Sequence, residues 1–210
     1  VNYNYFNNYG FISLDVPEDI MLSVRKEIEV IKSDFSKNDS FNEQLAGNIL
    51  HQYGAEKLKP VLNDLLLTLA YEYEQHFNYL LNLRVLSEDA PLEIGPLWVN
   101  FQKKGEYNPM HNHSGVYSFA LWVTIPYLRT DELAYANKTP AESNRNGCFT
   151  FSYSSTLGGI QEYTIQLDKS FENKIVFFPA SMQHAVYPFF TSEEYRVSVA
   201  GNMLFKPNTL

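Results

Sequence analysis

Between Leu97 and Leu204 the chain carries six short strand-like segments, with no internal sequence repeat. LWVNFQ (Leu97–Gln102), VYSFALWVTI (Val116–Ile125), CFTFSY (Cys148–Tyr153), EYTIQL (Glu162–Leu167), KIVFFP (Lys174–Pro179) and YRVSVAGNML (Tyr195–Leu204) are rich in β-branched and aromatic residues. Gly, Pro, Asn, Asp and Ser lie between them. The first kind of residue suits a pleated, half-buried surface, and the second kind suits turns. Several short strands with that punctuation predict a sandwich or a jelly roll.

The first part of the chain reads differently. From about Val16 to Tyr79 the pattern is helical. Pro17, Glu18 and Asp19 form a helix start, with the acids near the positive end of the dipole. Ile20, Val24, Ile28 and Ile31 then recur at helix spacing. Ser33–Ser40 is polar and reads as a loop. A second helix is expected from Lys59 or Pro60 to Phe77, with Leu62, Leu65, Leu66, Leu69 and Tyr73 as its buried stripe. Between the two helices, Leu45–Tyr53 reads as a short packed element. The Asn/Tyr-rich first ten residues read as an edge strand or a docked tail. The expected fold is therefore α+β in a single domain, residues 1–210. Residues 1–82 form a mainly helical support region and residues 83–210 a jelly-roll core, with a loop insertion at 128–147.

Composition narrows what such a domain does. A chain of 210 residues buries roughly 70% of its unfolded surface on folding, so it needs no metal staple. A metal site found here would serve chemistry. The net charge of −8 argues against phosphate-backbone recognition, so no nucleic-acid partner is expected. The single cysteine, Cys148, excludes an internal disulfide, suits a reducing compartment and reads as a small apolar filler. No apolar run approaches 18 residues, and VNYNYFNNYG lacks the parts of a signal peptide. Cytoplasmic placement, with no membrane partner, is the expectation. The acidic pairs Glu88-Asp89, Asp131-Glu132 and Glu193-Glu194 read as solvated faces.

The histidines carry the chemistry. On a strand, residues i and i+2 share a face, so His111 and His113 can aim at one point, which is the geometry of two metal ligands. The same H-x-H also fits a polar turn with both rings in solvent. His184 follows a late apolar strand, and an antiparallel jelly roll can return it beside His113. Arg196 and Ser198 share a face of the last strand. A buried arginine is costly without an anion, and a guanidinium fork with a hydroxyl suits a carboxylate. A salt bridge to Glu193 or Glu194 is the other use of Arg196. His51 and His76 read as helix-surface residues, and Trp98 and Trp122 as core.

Together these residues resemble a family. The order is W-x-N (Trp98, Asn100), H-x-H (His111, His113), a strand ending Phe178-Pro179, His184, R-x-S (Arg196, Ser198) and a nearby Asn202. It is similar to the 2-oxoglutarate/Fe(II)-dependent oxygenases, in particular a small bacterial and phage branch. The likeness spans Pro96 to Asn202. It implies a double-stranded β-helix (jelly-roll, cupin-like) core, Fe(II) at one rim, and 2-oxoglutarate lying inward as co-substrate. His111 and His184 match the first and last metal ligands. Arg196 matches the arginine that holds the distal carboxylate, with Ser198 assisting.

One position departs from the pattern. His113 stands where most of the superfamily carries a carboxylate, so the third ligand is His113 or another group such as Glu106. Asn100 and Tyr117 are the further co-substrate candidates. Tyr117 shares the face of His113 unless Gly115 seats a bulge and reverses it. The 128–147 segment is the natural lid or substrate loop. The implied activity is an oxygenase, as a hydroxylase, on a small molecule or peptide, with the oligomeric state open.

Two other readings stand beside it. A cupin-like three-histidine protein without 2-oxoglutarate would place a carboxylate soon after H-x-H, but Ser114 to Ile125 has none. A non-catalytic jelly-roll module would keep the scaffold alone.

Overall fold

The computed structural model describes residues 2, 8–83, 91–136 and 144–206, and says nothing of the side chains of Gln44 and Asn82. Glu88-Asp89 and most of the first ten residues lie outside the described residues. The elements run β1 (Ile12–Asp15), α1 (Glu18–Ser33), β2 (His51–Gly54), α2 (Lys59–Phe77), α3 (Tyr79–Asn82) and β3 (Leu92–Gln102). They continue β4 (Asn108–His111), β5 (Tyr117–Thr124), α4 (Arg129–Ala136), β6 (Phe149–Ser154), β7 (Ile160–Ile165), β8 (Lys174–Pro179), β9 (Gln183–Val186) and β10 (Arg196–Phe205).

The strands form two antiparallel sheets. Six strands run in the order β1-β8-β5-β10-β3-β2, and four in the order β4-β9-β6-β7. Strand alternation gives the larger sheet two working faces. Its odd-numbered residues, such as Val99, Phe101, Phe119, Leu121, Phe177 and Val199, join one apolar cluster with α1 and α2. In that cluster Met21, Val24, Ile28 and Ile31 of α1 meet Leu62, Leu66, Leu69 and Tyr73 of α2. The even-numbered Trp122, Val176 and Phe178 turn the other way and pack on Phe149, Phe151 and Ile165 of the smaller sheet. The result is α+β: helices on the back of one sheet, with a barrel interior between the two.

Several segments differ from the sequence expectation. The helical region also contributes strands: β1 pairs β8 and β2 pairs β3, each at a sheet edge. His51 is accordingly a strand residue, bonded to Tyr53 and stacked on Phe35. The 128–147 segment holds a helix, α4, and residues 137–143 lie outside the described residues. Its Glu132 is fully buried rather than solvated. The reason is local: its carboxylate accepts from the backbone N–H groups of Phe190 and Thr191 and from the Thr191 hydroxyl. Those three donors replace the water it gives up.

Candidate active site

Two four-residue strands build the histidine end of the pocket. β4 and β9 pair with His111 directly opposite His184, and their ring centroids lie 4.3 Å apart. Cross-strand neighbours of this kind point to the same face. His113 lies two residues past the end of β4, where its backbone N–H donates to Ala180 O at 2.8 Å. Its ring sits 5.1 Å from that of His184 and 5.7 Å from Trp98. One nitrogen from each of the three rings lies within 4.8 Å of the others, so the three could hold a metal ion.

Hydrogen bonds select the nitrogen that faces inward. His111 Nδ1 lies 2.7 Å from Pro109 O, and His184 Nδ1 lies 3.0 Å from Met182 O. A carbonyl only accepts, so each Nδ1 carries the hydrogen and each Nε2 keeps its lone pair. Burial favours the same neutral form. It holds the His111 imidazole below its usual range. It lowers His113 to about 4 and His184 to about 3, with the His111 ring adding to both. Three neutral imidazoles suit iron among the transition metals. Glu106 does not join them. Its carboxylate accepts from the N–H groups of Leu50 and Lys103.

From this end, polar side chains descend the pocket in cross-strand rungs on β3 and β10. Trp98 faces Ala200, Asn100 faces Ser198, and Gln102 faces Arg196. Each rung is about 7 Å below the last, two strand residues. The middle rung is tied together: Asn100 donates to Ser198 Oγ at 3.2 Å and accepts from Gln52 at 2.7 Å. The cavity between, about 50 Å³, is lined by the three histidines and both lower rungs.

Arg196 closes the floor. It is 2% exposed, and among the described residues no acid pairs with it. Glu193 pairs with Lys104 instead, and Glu194 receives no guanidinium. Arg196 is bracketed by the Tyr127 and Phe189 rings, 5.9 and 5.5 Å from the guanidinium carbon. Burial pushes the Tyr127 phenol up against the opposing pull of Arg196, so it stays protonated and donates to Gly147 O. A buried cation with only neutral partners leaves the pocket positive and receptive to an anion.

The mouth is covered by residues 41–50, which overlap the Leu45–Tyr53 element expected to pack between the helices. Phe41 stacks on Trp98 at 5.3 Å, and Asn48 N–H donates to Tyr107 O. Gly47 makes that approach feasible. With φ +111°, a Cβ there would meet the Asn108 side-chain amide at 2.1 Å and the Tyr107 backbone oxygen at 2.7 Å. Leu45 and Ala46 thereby line the cavity.

Residues 96–202, just over half of the chain, match the family described as 2OG-Fe(II) oxygenase. The chain belongs to the 2OG-Fe(II) oxygenase family. It is thus an oxidoreductase that uses Fe(II) and 2-oxoglutarate. No curated protein matches the sequence. Solved structures share the fold at low identity. A prolyl-4-hydroxylase from Pseudomonas putida aligns with TM-score 0.56 at 10% identity, covering 95% of this chain and 94% of that one. AviO1 from Streptomyces viridochromogenes Tue57 aligns with TM-score 0.54 at 11% identity, over 97% and 92%. The epimerase SnoN of nogalamycin biosynthesis aligns with TM-score 0.55 at 11% identity, over 96% and 80%.

Against this oxygenase frame, one expected contact fails. Tyr117 faces the helices, not the pocket, and packs among Tyr73, Tyr79 and Phe177. The cause is Gly115, whose φ of +111° sits between His113 and Tyr117 and reverses the face of the strand that follows. Gln52, Gln102 and Tyr127 were not singled out from the sequence. Gln102 was within reach of it, because it shares the Asn100 face of LWVNFQ by alternation. Tyr127 sits beyond a strand end, where alternation gives no direction.

Proposed function

We propose that this oxygenase is a hydroxylase whose iron is held by His111, His113 and His184, and whose co-substrate reaches inward to Arg196. The observation that carries the reading is a buried guanidinium without an acid partner, in the same cavity as three convergent histidines. Bound Fe(II) supplies the coupling of O₂ activation to the decarboxylation of 2-oxoglutarate to succinate and CO₂. The protein's own groups set the stage for it. The Pro109 and Met182 carbonyls fix two imidazoles as neutral donors. Arg196 receives the distal carboxylate, and Ser198 and Asn100 offer hydrogen bonds along its length. Trp98, Trp122 and Phe149 wall the cavity and keep it dry.

The substrate is a small molecule or a peptide, and nucleic acid is not expected at an acidic surface. Among solved relatives of this fold, the proteins from Pseudomonas putida and a Chlorella virus are prolyl hydroxylases, so a proline-containing peptide is the first substrate to test. A single domain is the proposed unit, with residues 1–82 supporting the 83–210 core; α4, in the 128–147 insertion, is tied to Asn144, Asn146, Phe190 and Thr191. Placement is in the reducing cytoplasm, the host's if the gene is phage-borne. Cys148 is buried, with its thiol pushed up by burial, and no helix among the described residues is long and apolar enough to cross a membrane.

The test is succinate release from the purified protein. Release is expected to require both Fe(II) and 2-oxoglutarate, and to be lost in His184→Ala. Full release by that variant, or release without iron, would overturn the reading.

A further inference from the structure

Arginine carries five N–H donors, and Arg196 has every one of them in use. Nε donates to Gln102 Oε1 at 3.2 Å, and Nη2 donates to the same oxygen at 2.6 Å. Nη2 also donates to Tyr187 O at 3.0 Å. Nη1 donates to the Tyr127 hydroxyl at 2.6 Å and to Gly147 O at 3.0 Å. A ligand carboxylate that binds this guanidinium must therefore take the place of something.

The five acceptor contacts are not equally movable. Gly147 and Tyr187 contribute backbone oxygens, and their own N–H groups are bonded to Pro188 O and Cys148 O. Tyr127 is pinned from its other side by donating to Gly147 O. Gln102 alone is a flexible side chain, anchored through its Nε2 to Glu106 O in the adjoining turn. Its oxygen also holds a whole edge by itself. Nε/Nη2 is one of the two edges on which carboxylates bind in bidentate fashion, and the other, Nη1/Nη2, is held by the pinned Tyr127 hydroxyl and two backbone oxygens. The register makes this contact inherent, since Gln102 and Arg196 are direct cross-strand partners.

We propose that Gln102 is a specificity residue for the co-substrate: its amide oxygen stands in for a carboxylate in the Arg196 fork and yields only to a ligand that brings a real one. The neutral oxygen satisfies the buried cation while the pocket is empty. A carboxylate displaces it because it brings a formal negative charge to the buried cation and two oxygens that match the fork, where the amide brings one neutral oxygen. A 2-oxo acid without a distal carboxylate gains nothing from displacing it, so the exchange sharpens discrimination. The inference rests on the reading that Arg196 receives the distal carboxylate.

The test is calorimetric binding of 2-oxoglutarate and of 2-oxobutyrate, which lacks the distal carboxylate, to protein loaded with Ni(II) in place of Fe(II). Gln102→Ala is expected to tighten 2-oxoglutarate by roughly tenfold, the worth of one hydrogen bond to a charged group, and to leave 2-oxobutyrate unchanged. Gln102→Glu, nearly isosteric, fills the fork with a fixed carboxylate and is expected to weaken 2-oxoglutarate by a similar factor or more. Unchanged or weaker 2-oxoglutarate binding in Gln102→Ala, or unchanged binding in Gln102→Glu, overturns the proposal and makes Gln102 a buttress of Arg196. The underlying reading fails in a different way. In that case Arg196→Ala leaves the preference for 2-oxoglutarate over 2-oxobutyrate intact, whatever the Gln102 variants do.

Discussion

At the scale of single residues, His113 decides the charge that the histidine cluster would offer a metal. Two histidines and a carboxylate would offset one of the two charges of a divalent ion, whereas three neutral imidazoles offset none. A dianionic co-substrate would then be the main counter-charge, both to the metal and to Arg196 across the pocket. His113→Asp should tighten Ni(II) binding by roughly tenfold or more, because a unit charge is added beside the dication in a partly buried site. It should loosen 2-oxoglutarate at the same time, for the same electrostatic reason. Competition against a chelating dye and calorimetry measure the two effects. A variant that binds nickel no better than the parent would remove charge as the explanation. That His111, His113, His184 and Arg196 share one cavity was legible because metal and anion chemistry draws on few residue types at strand spacing. Tyr117 was misplaced because one positive φ upstream inverts a face, and residue type alone does not report φ.

At the scale of elements, the turn between β4 and β5 does two jobs. It carries His113 to Ala180, and it flips the next strand through Gly115. A Cβ at Gly115 would meet Met203 O at 2.8 Å, in a backbone region that L-residues avoid. Gly115→Ala should therefore destabilise the protein by about 1–3 kcal/mol, and should weaken Ni(II) binding more than a stability loss alone predicts. Chemical denaturation and metal titration on the folded fraction read these separately. Equal nickel affinity in the variant would show that the turn does not set the position of His113. The long strands were legible in outline: β8 was read at its observed bounds, while β3 starts five residues before the segment read for it. β4 and β9 were not seen as strands. NPMH and QHAV lack a β-branched run, and pairing extends them: β9 lies between β4 and β6 in the smaller sheet, and β4 pairs with β9.

At the scale of the whole molecule, the buried histidines tie stability to pH. Their folded pKa values lie below the ordinary 6.5: His113 at about 4, His184 at about 3, and His111 also lowered. Above 6.5 neither the folded nor the unfolded chain protonates these rings, so stability is full. As pH falls below 6.5 the unfolded chain takes up protons that the folded one refuses, and stability is lost progressively towards pH 4 and below. The metal-free protein should show a flat Tm above pH 7 and a falling one between 6.5 and 5, above the carboxylate range. A Tm constant down to pH 5 would contradict the burial of the site. The division into a helical part and a stranded part was legible at this scale. Their interleaving was not, because Ile12 pairs with Phe177, a partner no local pattern reveals.

The larger sheet is buried on both sides, and its strands assign each side to alternate residues. On β3 and β10, Val99, Phe101, Val197 and Val199 belong to the layer beneath the helices, while Asn100, Gln102, Arg196 and Ser198 belong to the cavity. Foldability and ligand choice are thus written in two interleaved alphabets on the same strands. A lineage, or an engineer, can rewrite every second letter to change what the pocket accepts while the intervening letters keep the scaffold standing.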